Sequence, residues 1–179
     1  MPPAFAFLTP LAGARSSALC SWPVPRLTAL LHTANDARRI GRALDSLRCC
    51  DELLVIDHDS RDATRKIARQ HGARVEQTSS AADSGAGLAA HDWVLCLLPS
   101  EALSESLEAS LLEWKEEDPG EATAYAFALR TETVNGWRHC GPEVRLVDRR
   151  DMSWSGALPP HPEDALTLCG DLLRFSDPA

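Results

Sequence analysis

The chain has 179 residues and a formal charge of −8, which suits one compact domain with a buried core. An acidic balance with no basic stripe excludes a nucleic-acid backbone as the main partner, since nothing is there to neutralise phosphates. Six cysteines (Cys20, Cys49, Cys50, Cys96, Cys140, Cys169) include no Cys-x-x-Cys pair and no histidine at metal-site spacing, which argues against structural zinc and for a reducing cytosol.

Residues 1–25 are rich in Ala, Pro and Ser, with a short apolar patch at Phe5–Leu8 that Pro10 soon interrupts. A signal peptide would need a positive start and a longer apolar run, and no stretch reaches the length of a membrane span. The expectation is a disordered arm over residues 1–25 and a single domain over 26–179.

Leu27–Thr33 reads as a first strand. Asn35 or Asp36 caps a helix whose Ala37, Ile40, Leu44 and Leu47 share one face, with Arg38, Arg39 and Arg42 on a solvated side. Leu53-Leu54-Val55-Ile56 is a strand buried on both faces, as in parallel α/β sheets. It runs into Asp57-His58-Asp59-Ser60-Arg61-Asp62, so Asp57 stands at the sheet edge where open α/β sheets bind ligands. Ser60 or Asp62 caps the helix from about Ala63 to His71, which stops at Gly72. The plainer reading of Asp57 and Asp59 is that they cap a turn. Ala73–Glu76 is a short strand. Residues 78–90 form a Ser/Ala/Gly/Asp-rich loop without the lysine or spacing of a P-loop.

Asp92–Leu98 is another long buried strand, stopped by Pro99. Ser100 or Ser104 opens a helix with Leu103, Leu107, Leu111 and Trp114 on one face, ending at Asp118-Pro119-Gly120. Tyr125–Thr133 and Val144–Val147 are strands on either side of an Asn135-Gly136 turn, hence antiparallel. Residues 154–179, carrying Pro159-Pro160 and Pro162, read as irregular. The sum is an α/β fold: a mostly parallel, mixed central sheet with helices on both faces.

Taken in order, Thr33-Ala34-Asn35-Asp36, Val55-Ile56-Asp57-His58-Asp59-Ser60-Arg61-Asp62-Ala63-Thr64, Gly72-Ala73-Arg74-Val75, Asp92-Trp93-Val94-Leu95, Val144–Arg150 and Trp154-Ser155-Gly156 resemble the family-2 glycosyltransferases. The likeness is to the bacterial branch that adds sugars to lipopolysaccharide core. It implies a three-layer GT-A (nucleotide-diphospho-sugar transferase) fold with a nucleotide-sugar donor, a UDP-sugar, at the carboxyl ends of the parallel strands. Asp57 then maps to the nucleoside base, Thr33 and Asn35 to the loop around base and ribose, and Asp59 and Asp62 to the same acidic turn. The implied acceptor is a glycan or lipid-linked sugar, met in the cytoplasm at the inner face of the membrane by peripheral contact, with no transmembrane segment.

The chain departs from the family where its chemistry is concentrated. The expected Asp-x-Asp, which would hold Mg or Mn, is replaced by Leu98-Pro99-Ser100. Glu101 is the one acidic residue left there, a doubtful metal contact, and oxygen ligands are what hard cations require. Ala34 replaces an aromatic residue, and the family's His-Glu pair is spread out as His161-Pro162-Glu163, the catalytic candidates beside the acceptor. Three readings stay open: a glycosyltransferase with weakened or lost activity, a catalytically inactive binding or scaffold domain of the same fold, and, more distantly, a receiver-like signalling domain.

Overall fold

The computed structural model describes residues 24–80, 82–117 and 119–176; most of the expected N-terminal arm, residues 1–23, lies outside them. Eight strands form a single sheet in the order β3-β2-β1-β4-β7-β6-β8-β5. They are β1 (Leu27–Thr33), β2 (Glu52–Asp57), β3 (Arg74–Gln77), β4 (Trp93–Leu97), β5 (Glu101–Leu103), β6 (Ala124–Thr133), β7 (Gly136–Asp148) and β8 (Leu166–Arg174). Pairings β1–β2, β1–β4, β2–β3 and β6–β8 are parallel, and β4–β7, β6–β7 and β5–β8 antiparallel, so the sheet is mixed and mostly parallel as expected.

The continuous apolar runs are central strands for the reason given by their composition: every residue of β1 and β4 is buried, since neither face reaches solvent. Odd-numbered side chains of these strands (Leu27, Ala29, Leu31, Val55, Leu95, Leu97) face one cluster. It is completed by Ile40, Ala43 and Leu44 of α1 (Ile40–Asp45), Ala68 of α2 (Thr64–Gln70) and Leu107, Leu111 and Trp114 of α3 (Glu105–Glu116). Even-numbered ones (Leu30, Leu54, Ile56, Val94, Cys96) face a second cluster covered by Ala89, Met152, Trp154, Leu158 and Ala165. The expectation of helices on both faces is therefore met on one. The other layer is coil from residues 78–90 and 150–165, with one 3-10 turn at Ala86–Leu88. Small residues let that coil lie close: Gly85 has φ +68° and a Cβ there would come within 2.7 Å of Ile56.

Two further differences concern the C-terminal half. Helix α3 is capped by Ser104, whose hydroxyl accepts from Leu107 N at 3.2 Å, while Glu101–Leu103 ahead of it forms a short strand against β8. Residues 166–174, expected to be irregular, are strand β8, lying between β6 and β5. Pro159, Pro160 and Pro162 all precede it, and Gly170 packs against the Leu107 backbone. Trp93, Trp114 and Tyr125 form an aromatic knot, with ring centroids 5.0 to 5.8 Å apart.

Candidate functional site

The carboxyl ends of β1 and β2 stand level, Thr33 opposite Asp57, and the two loops that leave them are laced together. Asn35 N donates to Ser60 Oγ at 2.9 Å, Arg61 N to Asn35 Oδ1 at 2.8 Å, and Ala37 N to Asp62 Oδ2 at 3.1 Å. Asn35 and Asp59 both adopt left-handed backbone, φ 59° and 55°, a conformation that short polar side chains tolerate better than most. Asp36 binds backwards: its Oδ2 accepts from Thr33 Oγ1 and Ala34 N, both at 2.9 Å, and Oδ1 from Arg39. Asp62 accepts from Thr64 N at 2.9 Å and from the Thr64 hydroxyl, which opens α2. The Thr64 hydroxyl, followed by the Thr64 and Ala37 amides, holds the Asp62 carboxyl below its ordinary range. Asp62 thus serves the loop itself, and Asp59 is exposed at the turn.

Asp57 is different. Its side chain is fully buried, Oδ2 accepts from Ser60 N at 3.1 Å, and Arg65 Nε lies 3.8 Å away. Its Oδ1 is buried with no hydrogen-bond partner among the described residues. A buried carboxylate oxygen left unpaired is costly and uncommon, which sets this atom apart from the other carboxylates of the edge.

On the other face of the same edge, His32 and His58 stack with centroids 5.2 Å apart. His32 Nε2 lies 2.9 Å from Ser84 O and Nδ1 2.9 Å from His58 Nε2. A carbonyl only accepts, so in the neutral ring Nε2 carries the proton and Nδ1 accepts from His58. Burial, helped by the neighbouring His58 and opposed by the bond to Ser84 O, leaves the His32 pKa below its usual value. This pair holds the 78–90 coil over β1 and was not anticipated. A histidine ending an apolar strand is the signal that marks it.

The end of β4 carries no carboxylate until Glu101, and Glu101 is fully committed. Its Oε1 accepts from Arg145 Nη2 at 3.0 Å and from Arg174 Nη2 at 2.8 Å, and its Oε2 from Leu98 N at 2.9 Å. Glu143 joins the same two arginines. Glu101 and Arg145 are 0% and 2% exposed, so this is a buried ion cluster. The arginine inside the apolar run Val144–Val147 was its visible trace. Leu98-Pro99-Ser100 supplies no carboxylate, and no three His, Cys, Asp or Glu residues among those described gather where they could hold a metal ion. These residues do not fit the Mg or Mn of the resemblance.

His161 and Glu163 lie exposed in the coil between β7 and β8, and neither makes a hydrogen bond or ion pair with another described residue. The coil is tied down by Gly156 N, which donates to Ala82 O at 3.1 Å, and no contact brings either candidate to Thr33 or Asp57.

Comparison with known proteins bears first on the class of fold. The chain is similar to the mannosyltransferase PcManGT from Pyrobaculum calidifontis, solved with GDP-Man and Mn2+ (TM-score 0.57, 14% identity, 85% of this chain and 56% of that one). That is a likeness of fold, and the architecture is of the GT-A type. It also resembles glucosyl-3-phosphoglycerate synthase from Mycobacterium tuberculosis (TM-score 0.44, 20% identity, 62% of this chain and 45% of that one). Among curated sequences, it is 36% identical over 92 residues to an uncharacterized glycosyltransferase of Rickettsia felis, covering 46% of this chain and 31% of that one. A relative of the same description in Rickettsia conorii is 34% identical over 92 residues, 46% of this chain and 32% of that one. The chain thus spans about a third of the length of these relatives, which are named glycosyltransferases. No protein-family model matches it.

Proposed function

We propose that this chain is the nucleotide-binding part of a glycosyltransferase of the GT-A type, with sugar transfer weakened or lost. The observation that carries the reading is Asp57: a fully buried carboxylate at the end of β2, level with Thr33, with one oxygen lacking a donor. A base N–H is a directional donor of the kind such an oxygen selects. Thr33 and Asn35 frame it on the first loop, while Asp62 keeps the second loop in shape and Asp59 stands exposed at its turn. The donor is a nucleotide sugar, a UDP-sugar in the first instance, and the acceptor a glycan of the lipopolysaccharide type. His161 and Glu163 are the acceptor-side candidates. No helix among the described residues is long and apolar enough to cross a membrane, so membrane contact would be peripheral.

Titration calorimetry with UDP, GDP and their sugars, with and without manganese, tests this. Binding that does not depend on metal and is lost in Asp57→Ala supports the reading. Absence of binding to every nucleotide overturns it. Release or transfer of sugar in the same samples would show that catalysis persists.

A further inference from the structure

The poor fit to a divalent cation leaves the end of β4 without counter-charge for a phosphate, yet a cleft of ≈ 370 Å³ opens there, lined by Arg38, Arg39, Arg42, Pro99, Ser100, Glu132, Phe175 and Ser176. Three guanidinium groups and one carboxylate line it, and a second carboxylate, Asp36, already engages Arg39. The lining carboxylate, Glu132, already accepts from Ser176 N and Oγ, both at 3.2 Å. Arg42 is held over the Phe175 ring, its guanidinium carbon 3.9 Å from the centroid, which fixes a planar, permanently charged fork in place. Arg39 is pinned by Asp36, the residue that also holds Thr33.

Position follows from register. Leu31 pairs with Leu97, and Thr33 with Asp57. The ends of β2, β1 and β4 are therefore neighbours across two strand intervals, about 10 Å at ~4.8 Å each, and Pro99 and Ser100 leave the sheet in a turn just beyond Leu97. Asp57, Thr33 and Leu97 are odd-numbered and share the face that α1 covers. A nucleoside held at Asp57 would therefore direct its phosphates along the edge towards Ser100 and the arginines.

We propose that this cleft is a phosphate site that works without metal, in which Arg38, Arg39 and Arg42 supply the positive charge that a bound divalent cation would otherwise bring. Charge-assisted bonds from guanidinium to phosphate are strong and bidentate, and a fixed cationic cluster can neutralise a diphosphate without a metal ligand set. The phosphate belongs either to the nucleotide at Asp57, which rests on the function proposed above, or to a separate phosphorylated ligand, which does not.

The test is calorimetry on the full chain in EDTA, with inorganic pyrophosphate, UDP, GDP and uridine as probes. The variants are Arg38→Gln and Arg38→Gln/Arg42→Gln, with melting curves to confirm folding; Arg38 is exposed, so its single variant isolates charge from packing. Pyrophosphate and a nucleoside diphosphate are expected to bind without metal, to weaken about tenfold for each arginine contact removed, and to weaken further with salt. Uridine should not respond to the substitutions. Competition between pyrophosphate and UDP assigns the site to the nucleotide. Pyrophosphate binding that is arginine-dependent and indifferent to UDP assigns it to a second ligand, and survives failure of the nucleotide reading. Affinities unchanged within twofold in the folded double variant, binding that requires manganese, or no binding of pyrophosphate or nucleotide would each overturn the proposal.

Discussion

Replacing Glu101 separates an ion-cluster role from a metal-ligand role. In Glu101→Gln the carboxylate charge disappears while Arg145, 2% exposed, remains buried with only the half-buried Glu143 to offset it. Breaking a buried pair by removing one partner costs about 3–5 kcal/mol. For a domain of this size each kcal/mol lowers the melting temperature by about 2–4 °C, so the expected loss is roughly 6–20 °C. Arg174, 29% exposed, is partly screened and its replacement by Gln should cost less than that of Arg145. The assay is thermal unfolding by circular dichroism, in EDTA and in manganese, with nucleotide titration on the same samples. A Glu101→Gln protein that melts within about 2 °C of the parent, and that has lost a manganese effect the parent shows, would refute the ion-cluster account.

Other outcomes can be checked alongside. Trp114→Ala empties the centre of the aromatic knot and should cost about 3–5 kcal/mol, read by urea unfolding; a loss under about 1 kcal/mol would mean the knot repacks. Gly85→Ala places a methyl against Ile56 on a backbone at φ +68°, so protease sensitivity within residues 78–90 should rise while the rest of the chain stays resistant. Acid should weaken the fold through His32: its folded pKa lies below the ordinary 6.5, so the unfolded chain takes the proton first. Stability then falls as pH drops below about 6.5, until the folded ring itself titrates. Melting temperatures at pH 7.5 and 5.5 should diverge more for the parent than for His32→Gln, and parallel losses would count against it.

How much of this was legible depended on distance along the chain. β1, β2 and β4 announced themselves because a strand buried on both faces has to be apolar throughout. The face of α3 was readable for the same reason at helical spacing, Leu107-Leu111-Trp114. β8 was not, because Leu166-Thr167-Leu168-Cys169-Gly170-Asp171 is only half buried and its glycine is required by the Leu107 backbone, a contact with a helix some sixty residues earlier. At the site, Asp57 could be placed from its position after Ile56, but its unpaired oxygen could not. Asp62 could be read both as a helix cap and as part of the acidic edge, and its carboxylate accepts from the Thr64 amide and hydroxyl where α2 opens. Glu101 looked like the remnant of a metal site, and its actual partners, Arg145 and Arg174, come from strands whose neighbours the sequence does not reveal.

The placement of β8 separates the molecule into two histories. β1 to β4 is assembled from consecutive strand–helix–strand units, so the Asp57 edge can take shape from neighbours in the chain. Among the described residues β5 has no strand beside it except β8, and Arg174 at the far end of β8 is one of the two clasps on Glu101. Until that last strand is threaded between β6 and β5, Glu101 has no finished surroundings and the floor of the arginine cleft, with Phe175 just beyond it, is missing. A ribosome-bound chain would thus hold the Asp57 edge and all three arginines well before the opposite wall of their cleft, Glu132, Phe175 and Ser176, is made.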